Sequence, residues 1–249
     1  MSSSLAIVMA AGKGTRMESD LPKVLVPACG RPMIQYVIDT LEAAGVSKIV
    51  VVVGYRADDV RTALKDRKNV EFADQTEQLG TGHAVMMCRE QIDAHEGAVL
   101  VVTGDSPMIQ VDSVNALLDL YREEKPACIL GSLHSDDPYG LGRICRNEAG
   151  DFIGIVEEKD ATDEQRKITE VNMSTYVFDA ADLRRTLDKL TNDNKQGEYY
   201  ITDCPGILRD EKKDVRALPV LKPCESLSVN NMAQLAIVED EMRKLEMAK

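Results

Sequence analysis

The chain has 249 residues, 44% hydrophobic and 4% aromatic with no tryptophan, enough for one large α/β domain or two small ones around an aliphatic core. Its formal net charge of −12 argues against a sequence-independent grip on nucleic acid, which needs a dense Lys/Arg surface, but leaves room for a phosphorylated small molecule held by a few local cations. Six cysteines at 29, 88, 128, 145, 204 and 224 include no C-x-x-C pair, and no export signal follows Met1, so reduced thiols in the cytoplasm are expected rather than zinc or disulfides.

Residues 5–10 open the chain as a buried-type strand, too short an apolar run for a membrane span. Ile34, Val37, Ile38 and Leu41 then share a helical face, with Pro32 near its start and Gly45 just past its end. Residues 48–53 and 98–103 repeat the strand pattern, and Val114, Leu117, Leu118 and Tyr121 repeat the helical one. Strands alternating with helices predict a parallel sheet wound with right-handed crossovers in a three-layer α/β domain. Past Cys128 the character changes. Residues 128–133, 142–146, 151–156, 177–178 and 215–220 read as short strands joined by turns such as Asp137-Pro138-Tyr139-Gly140, an antiparallel or mixed extension over the mouth of the sheet. Asp160, Asp163 and Glu164 read as a solvated helix start, and Leu235, Val238, Met242 and Leu245 as the face of a closing helix. With no repeat and no linker, a single domain is expected: a first portion over about 1–125, a second over 126–228 and a terminal helix over 229–249.

The chemistry starts where the first strand ends, in Ala10-Ala11-Gly12-Lys13-Gly14-Thr15-Arg16-Met17, followed by Leu21-Pro22-Lys23. Gly12 and Gly14 let the backbone approach a bulky anion and aim N–H groups at it; Arg16 adds a fork for phosphate oxygens and Lys23 a point charge. The dinucleotide fingerprint would need glycine at Met17, and the ATPase phosphate loop needs four residues between its glycines; neither fits. A βα turn using glycine for tightness alone stays open, with Arg16 and Lys23 tilting the balance towards phosphate.

Further along, Gln75 precedes a loop with Gly80, Thr81 and Gly82. A carboxamide can offer a donor and an acceptor together, which suits the edge of a uracil ring; the alternative is a strand-to-helix loop with Thr81 as N-cap. His83 reads as packed or capping, and His95 and His134 have no partner spacing. Asp105, at the tip of the strand 98–103, is either a turn cap or a ligand for Mg²⁺, which prefers one or two carboxylates plus substrate phosphates.

The loop 10–17 with Lys23 resembles the signature of sugar-nucleotide pyrophosphorylases, nearest the uridylyltransferase half of the bifunctional N-acetylglucosamine-1-phosphate uridylyltransferase/glucosamine-1-phosphate acetyltransferases. The likeness continues in order through residues 75–84, Gly104-Asp105, 139–144, 154–166, 197–203 and Val229-Asn230-Asn231. It implies a Rossmann-like nucleotidyltransferase domain with a mostly parallel mixed sheet and a small β-rich sugar-binding extension. It implies nucleotide contacts at Ala10, Ala11, Gly12, Gly14, Lys23, Gln75, Gly80, Thr81, Thr103, Gly104 and Asp105, and catalytic roles for Arg16 and Lys23. Sugar contacts are implied at Gly142, Glu157 and Asn172, and Mg²⁺ on Asp105 and Asn230. The implied partners are UTP and a sugar 1-phosphate, with N-acetylglucosamine 1-phosphate first and glucose 1-phosphate as the alternative; homo-oligomerisation is left open.

Two departures stand out: Thr103 where the family has Tyr before Gly-Asp, and Met173-Ser174 where it has Thr-Gly after Asn. No acetyltransferase half is present in these 249 residues. A non-catalytic nucleotide-sugar sensor on the same fold is the rival from another class, disfavoured by the joint presence of Arg16, Lys23, Asp105 and Asn230. An NAD-binding oxidoreductase is opposed by Met17.

Overall fold

The computed structural model describes residues 4–14, 17 and 19–247. In chain order come β1 (Leu5–Met9), β2 (Pro27–Ala28), β3 (Arg31–Pro32), α1 (Met33–Ala43), β4 (Lys48–Val53), α2 (Ala57–Leu64), β5 (Val70–Asp74), α3 (Thr81–Met86), α4 (Arg89–Asp93), β6 (Ala98–Thr103) and α5 (Val111–Glu124). They are followed by β7 (Cys128–His134), β8 (Gly142–Arg146), β9 (Phe152–Val156), α6 (Asp163–Arg166), β10 (Glu170–Asp179), α7 (Ala180–Leu187), α8 (Asp203–Asp210), β11 (Val215–Leu218) and α9 (Met232–Lys244).

The main sheet runs β11-β7-β10-β6-β1-β4-β5, with β5, β4, β1 and β6 all parallel. From β1 the chain winds first to β4 and β5 on one side, then returns to β6 on the other. This reversal opens a crevice beyond the carboxyl ends of β1 and β6, the place where open α/β sheets bind ligands. Period-two alternation along the buried strands separates two aliphatic layers. Leu5, Ile7, Val99 and Val101 pack with Val85, Ile92, Leu183 and Leu208 from α3, α4, α7 and α8. Ala6, Val8, Leu100 and Val102 pack with Ile34, Val37, Val60 and Leu117 from α1, α2 and α5. The three-layer α/β fold expected from the alternation is observed, with a sheet that is mixed, as the resemblance implied, because β10 runs antiparallel to β6 and β7.

The second half differs from a simple cover. Strands β7 and β10 continue the main sheet, and only β8 and β9 project from it. Strand β10 lies antiparallel to β6 with Tyr176 opposite Val101, so its first residues reach the edge where β6 ends. A bulge between Asn172 and Thr175 marks where β10 exchanges β6 for β8 as its neighbour, with Asn172 opposite Gly142.

The closing helix α9 buries Leu235, Val238 and Met242 against Met33, Tyr36 and Ala28, but Leu245 lies past its end and is 45% exposed. The Oε1 of Glu239 accepts from the Cys29 backbone N–H at 2.7 Å and holds α9 on the β2–β3 turn. Residues 228–231 are thereby carried back over the crevice. Glu225 supports this return: its carboxylate accepts from Ser113 Oγ (2.5 Å), Lys222 N (2.6 Å) and Gln110 N (3.1 Å). Thr162, rather than the acidic residues around it, caps α6 through a reciprocal box with Gln165, leaving Asp163 and Glu164 in the first turn.

Candidate active site

Two cavities open at the crevice, one of about 270 Å³ and one of about 430 Å³, and both are lined by Thr103 and Asp105. The loop after β1 lines the smaller one with Ala11 and Gly12. Ala10 N donates to Val52 O at 2.9 Å, and Tyr55 N donates to Ala11 O at 3.0 Å, so the loop is pinned to β4 and the turn behind it. Gly14 has φ +69°, and a Cβ there would stand 2.5 Å from Lys23 Cβ. Glycine at this position therefore serves both the backbone conformation and the approach of Lys23. Arg16 lies outside the described residues.

Lys23 begins a short 3₁₀ turn (Lys23–Leu25) and extends into the crevice. Its Nζ lies 2.5 Å from Asp105 Oδ2 and donates to Asn230 Oδ1 at 3.0 Å. Asp105 arrives from the tip of β6, held there because Gly104 N donates to Met9 O at 2.9 Å. A Cβ on Gly104 would press on Val24 and Ala10 at 3.2 and 3.3 Å. Asn230 arrives from a segment two hundred residues later (|i−j| = 207), so only the fold could bring these groups together.

The smaller cavity is lined by Gly12, Gln75, Gly80, Thr81 and Glu198 among others. Gln75 is 3% exposed, and its Nε2 donates to Gly80 O and lies 3.1 Å from His83 Nδ1, also at 3.1 Å from the Gly80 oxygen. The amide nitrogen is thus committed to the protein, a narrower role than a donor and acceptor both aimed at a base. Gly80 has φ +106°, and a Cβ there would meet Tyr199 O at 2.5 Å, so the loop before α3 fits closely under residues 198–199. Gly80 occupies the N-cap position of α3; Thr81 is its first residue, and its Oγ1 accepts from Ile201 N at 3.1 Å. The N-cap alternative for Thr81 is corrected accordingly: its hydroxyl ties α3 to the turn that precedes α8 instead.

The larger cavity is lined by Lys23, Asp105, Asn172, Met173, Ser174 and Asn230, with others. Asn172 is 5% exposed; its Nδ2 donates to Tyr176 Oη at 2.6 Å and its Oδ1 accepts from Ser174 N at 3.3 Å. Gly142 and Glu157 do not line this cavity but stand directly behind Asn172. A Cβ on Gly142 would lie 3.6 Å from both Glu157 Oε1 and Asn172 Cβ. Strand pairing explains the cluster, since Gly142 faces Asn172 and Arg143 faces Val156, one residue before Glu157. Burial pushes the Glu157 carboxyl up, Thr202 pulls it down through a hydrogen bond, and the neighbouring Asp160 and Asp203 raise it further. Ser174 sits at φ +53°, the left-handed region where glycine is at ease.

The metal-ligand expectation can be tested on donor chemistry. Asp105 and Asn230 present two hard oxygens converging on one cationic nitrogen, and no group of three or more His, Cys, Asp or Glu suited to a metal occurs among the described residues. A sparse oxygen set fits Mg²⁺, which keeps water and substrate phosphate as most of its ligands. The six cysteines form no disulfide in the structure, and Cys88, Cys128, Cys145 and Cys204 are buried. His95 and His134 have small structural partners, at 3.0 Å to Ala98 O and 3.2 Å to Thr169 Oγ1.

Sequence reasoning missed Gly54 and Gln78. A Cβ on Gly54 would meet Gln78 Nε2 at 2.8 Å and both Ala11 O and Gln75 O at 2.9 Å. It is the point where the loops after β1, β4 and β5 meet. A glycine directly after the apolar strand 48–53 was the available signal. Gln78 lines the smaller cavity and donates from Nε2 to Gln75 O at 3.2 Å, a role with no sequence signal.

A MobA-like NTP transferase domain matches residues 6–199. The chain is similar to the bifunctional protein GlmU of Streptococcus pyogenes serotype M1, 44% identical over 239 residues, covering 96% of this chain and 52% of that protein. It is likewise 44% identical to the bifunctional protein GlmU of Brevibacillus brevis over 244 residues, covering 98% of this chain and 52% of that one. The chain thus spans about half the length of these curated relatives. Among solved structures, a UDP-glucose pyrophosphorylase complexed with UDP-glucose superimposes with a TM-score of 0.79 at 19% identity, covering 98% of this chain and 99% of that one, a likeness of fold. The chain belongs to the MobA-like NTP transferase family, and the resemblance read from its loop motifs is to the same relatives.

Proposed function

We propose that this nucleotidyltransferase joins UTP to a sugar 1-phosphate, N-acetylglucosamine 1-phosphate first, and releases pyrophosphate. The observation that carries the reading is the meeting of Lys23, Asp105 and Asn230 where the two cavities join. One cavity offers a buried carboxamide and glycine backbone for a planar base; the other is flanked by Asn172, with Glu157 behind it, for a polyol. Their common wall is where the α-phosphate of a nucleotide and the phosphate of a sugar would meet.

In the reaction, a sugar-phosphate oxygen attacks the α-phosphorus, and the bond from that phosphorus to the bridging oxygen of the departing pyrophosphate breaks in line. The nucleophile is already an anion, so the protein need supply no general base; alignment and charge neutralisation do the work. Lys23 moves its ammonium from Asp105 to the phosphates. Gly12 and Gly14 bring backbone N–H groups near the triphosphate, and Gln75 sets the base. Mg²⁺ held by Asp105 and Asn230 would neutralise phosphate charge and template the two substrates. A non-catalytic sensor would have no use for the convergence of Lys23, Asp105 and Asn230.

The deciding experiment is pyrophosphate release across a panel of nucleoside triphosphates and sugar 1-phosphates. Turnover with UTP and N-acetylglucosamine 1-phosphate above all other pairs is expected. No release with any pair, alongside tight binding of a nucleotide sugar, would establish the sensor instead. The Met173-Ser174 bulge on the wall of the larger cavity favours a second acceptor, glucose 1-phosphate, used at a lower rate.

A further inference from the structure

The pairing of Gln75 with His83 has a consequence for base selection, resting on the reading of Gln75 as a base contact. Gly80 C=O can only accept a hydrogen bond, so the atom of Gln75 that lies 3.1 Å from it must be the amide nitrogen. That nitrogen carries two hydrogens, and the second points to His83 Nδ1 at 3.1 Å. An amide nitrogen does not accept, so Nδ1 must be the unprotonated ring nitrogen and the proton of the neutral imidazole must sit on Nε2. Both amide hydrogens are therefore used within the protein. Gln75 Oε1 accepts from no described residue, and Gln75 lines the smaller cavity.

We propose that His83 is a positioning residue that turns Gln75 into an acceptor-only reader of the base, selecting uracil over cytosine. Uracil carries a hydrogen on N3 and can donate it to Oε1. Cytosine has a bare N3, so in the same pose two acceptors face each other and both stay unpaired. Remove His83, and one amide N–H of Gln75 is left over. A carboxamide with a spare donor and a spare acceptor serves either ring edge, and discrimination falls. The ring of His83 is itself steadied by its place in α3 and by Tyr199, whose ring centroid is 6.4 Å away.

The test compares kcat/KM for UTP and CTP in wild type, His83→Leu, His83→Ala and His83→Asn, with Gln75→Ala as reference. Asparagine places Oδ1 close to where Nδ1 stood and keeps the acceptor. His83→Leu and His83→Ala should lower the UTP:CTP ratio about five- to tenfold, the worth of one hydrogen bond, chiefly through KM and with little change in kcat at saturating UTP. His83→Asn should restore the ratio, which a purely structural role would not predict. Should one apolar variant fail to fold, the other is judged on the same ratio. An unchanged ratio in the folded apolar variant overturns the proposal, as does an Asn variant that loses the ratio equally. If Gln75→Ala itself discriminates like wild type, the reading of Gln75 as base contact fails. If Gln75→Ala loses discrimination while the His83 variants keep it, only the role of His83 fails.

Discussion

The ammonium of Lys23 lies 2.5 Å from Asp105 Oδ2, so its charge opposes a second cation at the same carboxylate. Lys23 also donates to Asn230 Oδ1, so it engages both of the oxygens assigned to Mg²⁺. A metal arriving without nucleotide must compete with that charge, whereas a triphosphate gives the lysine another partner. Lys23→Met should therefore bind Mn²⁺ several-fold more tightly than wild type in the absence of nucleotide, read by electron paramagnetic resonance, and should lose most of the gain in metal affinity that UTP confers on wild type. Equal affinities for Mn²⁺ in the two proteins would show that the pair does not oppose the metal. Asp105→Ala should abolish the site and lower kcat by about three orders of magnitude, with wild-type turnover vanishing in EDTA and returning with Mg²⁺.

Gly14→Ala should impair turnover far beyond its effect on folding. The substitution forces a side chain into φ +69° and against Lys23 Cβ at 2.5 Å and Cα at 3.3 Å, so the loop and the Lys23 backbone must move apart and carry the ammonium with them. The left-handed conformation costs about 1–2 kcal/mol, visible as a lowered melting temperature, while displacement of Lys23 shows in kcat. A variant with normal kcat in its folded fraction would mean the loop tolerates the shift.

Ser174→Gly should stabilise the protein. Its φ of +53° strains a side chain but not glycine, and relief of about 1 kcal/mol corresponds to roughly 2–4 °C in melting temperature for a chain of this size. The double variant Met173→Thr, Ser174→Gly should in addition sharpen the preference for N-acetylglucosamine 1-phosphate over glucose 1-phosphate several-fold, read as the ratio of kcat/KM values. If wild type already separates the two sugars as strongly, the Met173-Ser174 departure has no bearing on specificity.

Glu157 gives a pH signature. Burial raises its carboxyl above the ordinary range, with Asp160 and Asp203 adding to the shift against the opposing hydrogen bond from Thr202. A carboxyl raised on folding contributes stability while protonated, below its unfolded value of about 4.3, and loses that contribution as pH rises through the folded value. Glu157→Gln should therefore melt higher than wild type at pH 7.5, with the difference shrinking towards zero below about pH 4. A variant that melts lower at pH 7.5 would mean the carboxylate is stabilised in the fold, contrary to its burial.

Much of the architecture was legible because the signals were local. The strand patterns at 48–53 and 98–103 match β4 and β6 residue for residue, since fully buried parallel strands need unbroken aliphatic runs. The face Ile34, Val37, Ile38 and Leu41 is entirely buried for the corresponding reason of helical period. Leu245 broke the pattern because α9 ends at Lys244, beyond which spacing no longer sets direction. The placement of β7 and β10 within the main sheet was not legible either: a strand's own residues do not state which edge it joins, and β10 earns its position through pairing with β6 and β7.

At the candidate site, the residue types and their order along the chain determined the chemistry that could be expected: glycines after a strand, an aspartate at a strand tip, cations nearby. Those are properties of short segments, and short segments carry them wherever they fold. Which groups meet was decided only by tertiary structure. The Lys23–Asp105–Asn230 cluster joins three segments, one of them 207 residues away in the chain, through the winding of the sheet and the docking of α9. The commitment of Gln75 to Gly80 and His83, and the crowding that requires Gly54, depend likewise on how closely neighbouring loops pack. Hydrogen-bond direction and steric clearance are set by distances between segments, and no local pattern in the sequence encodes a distance.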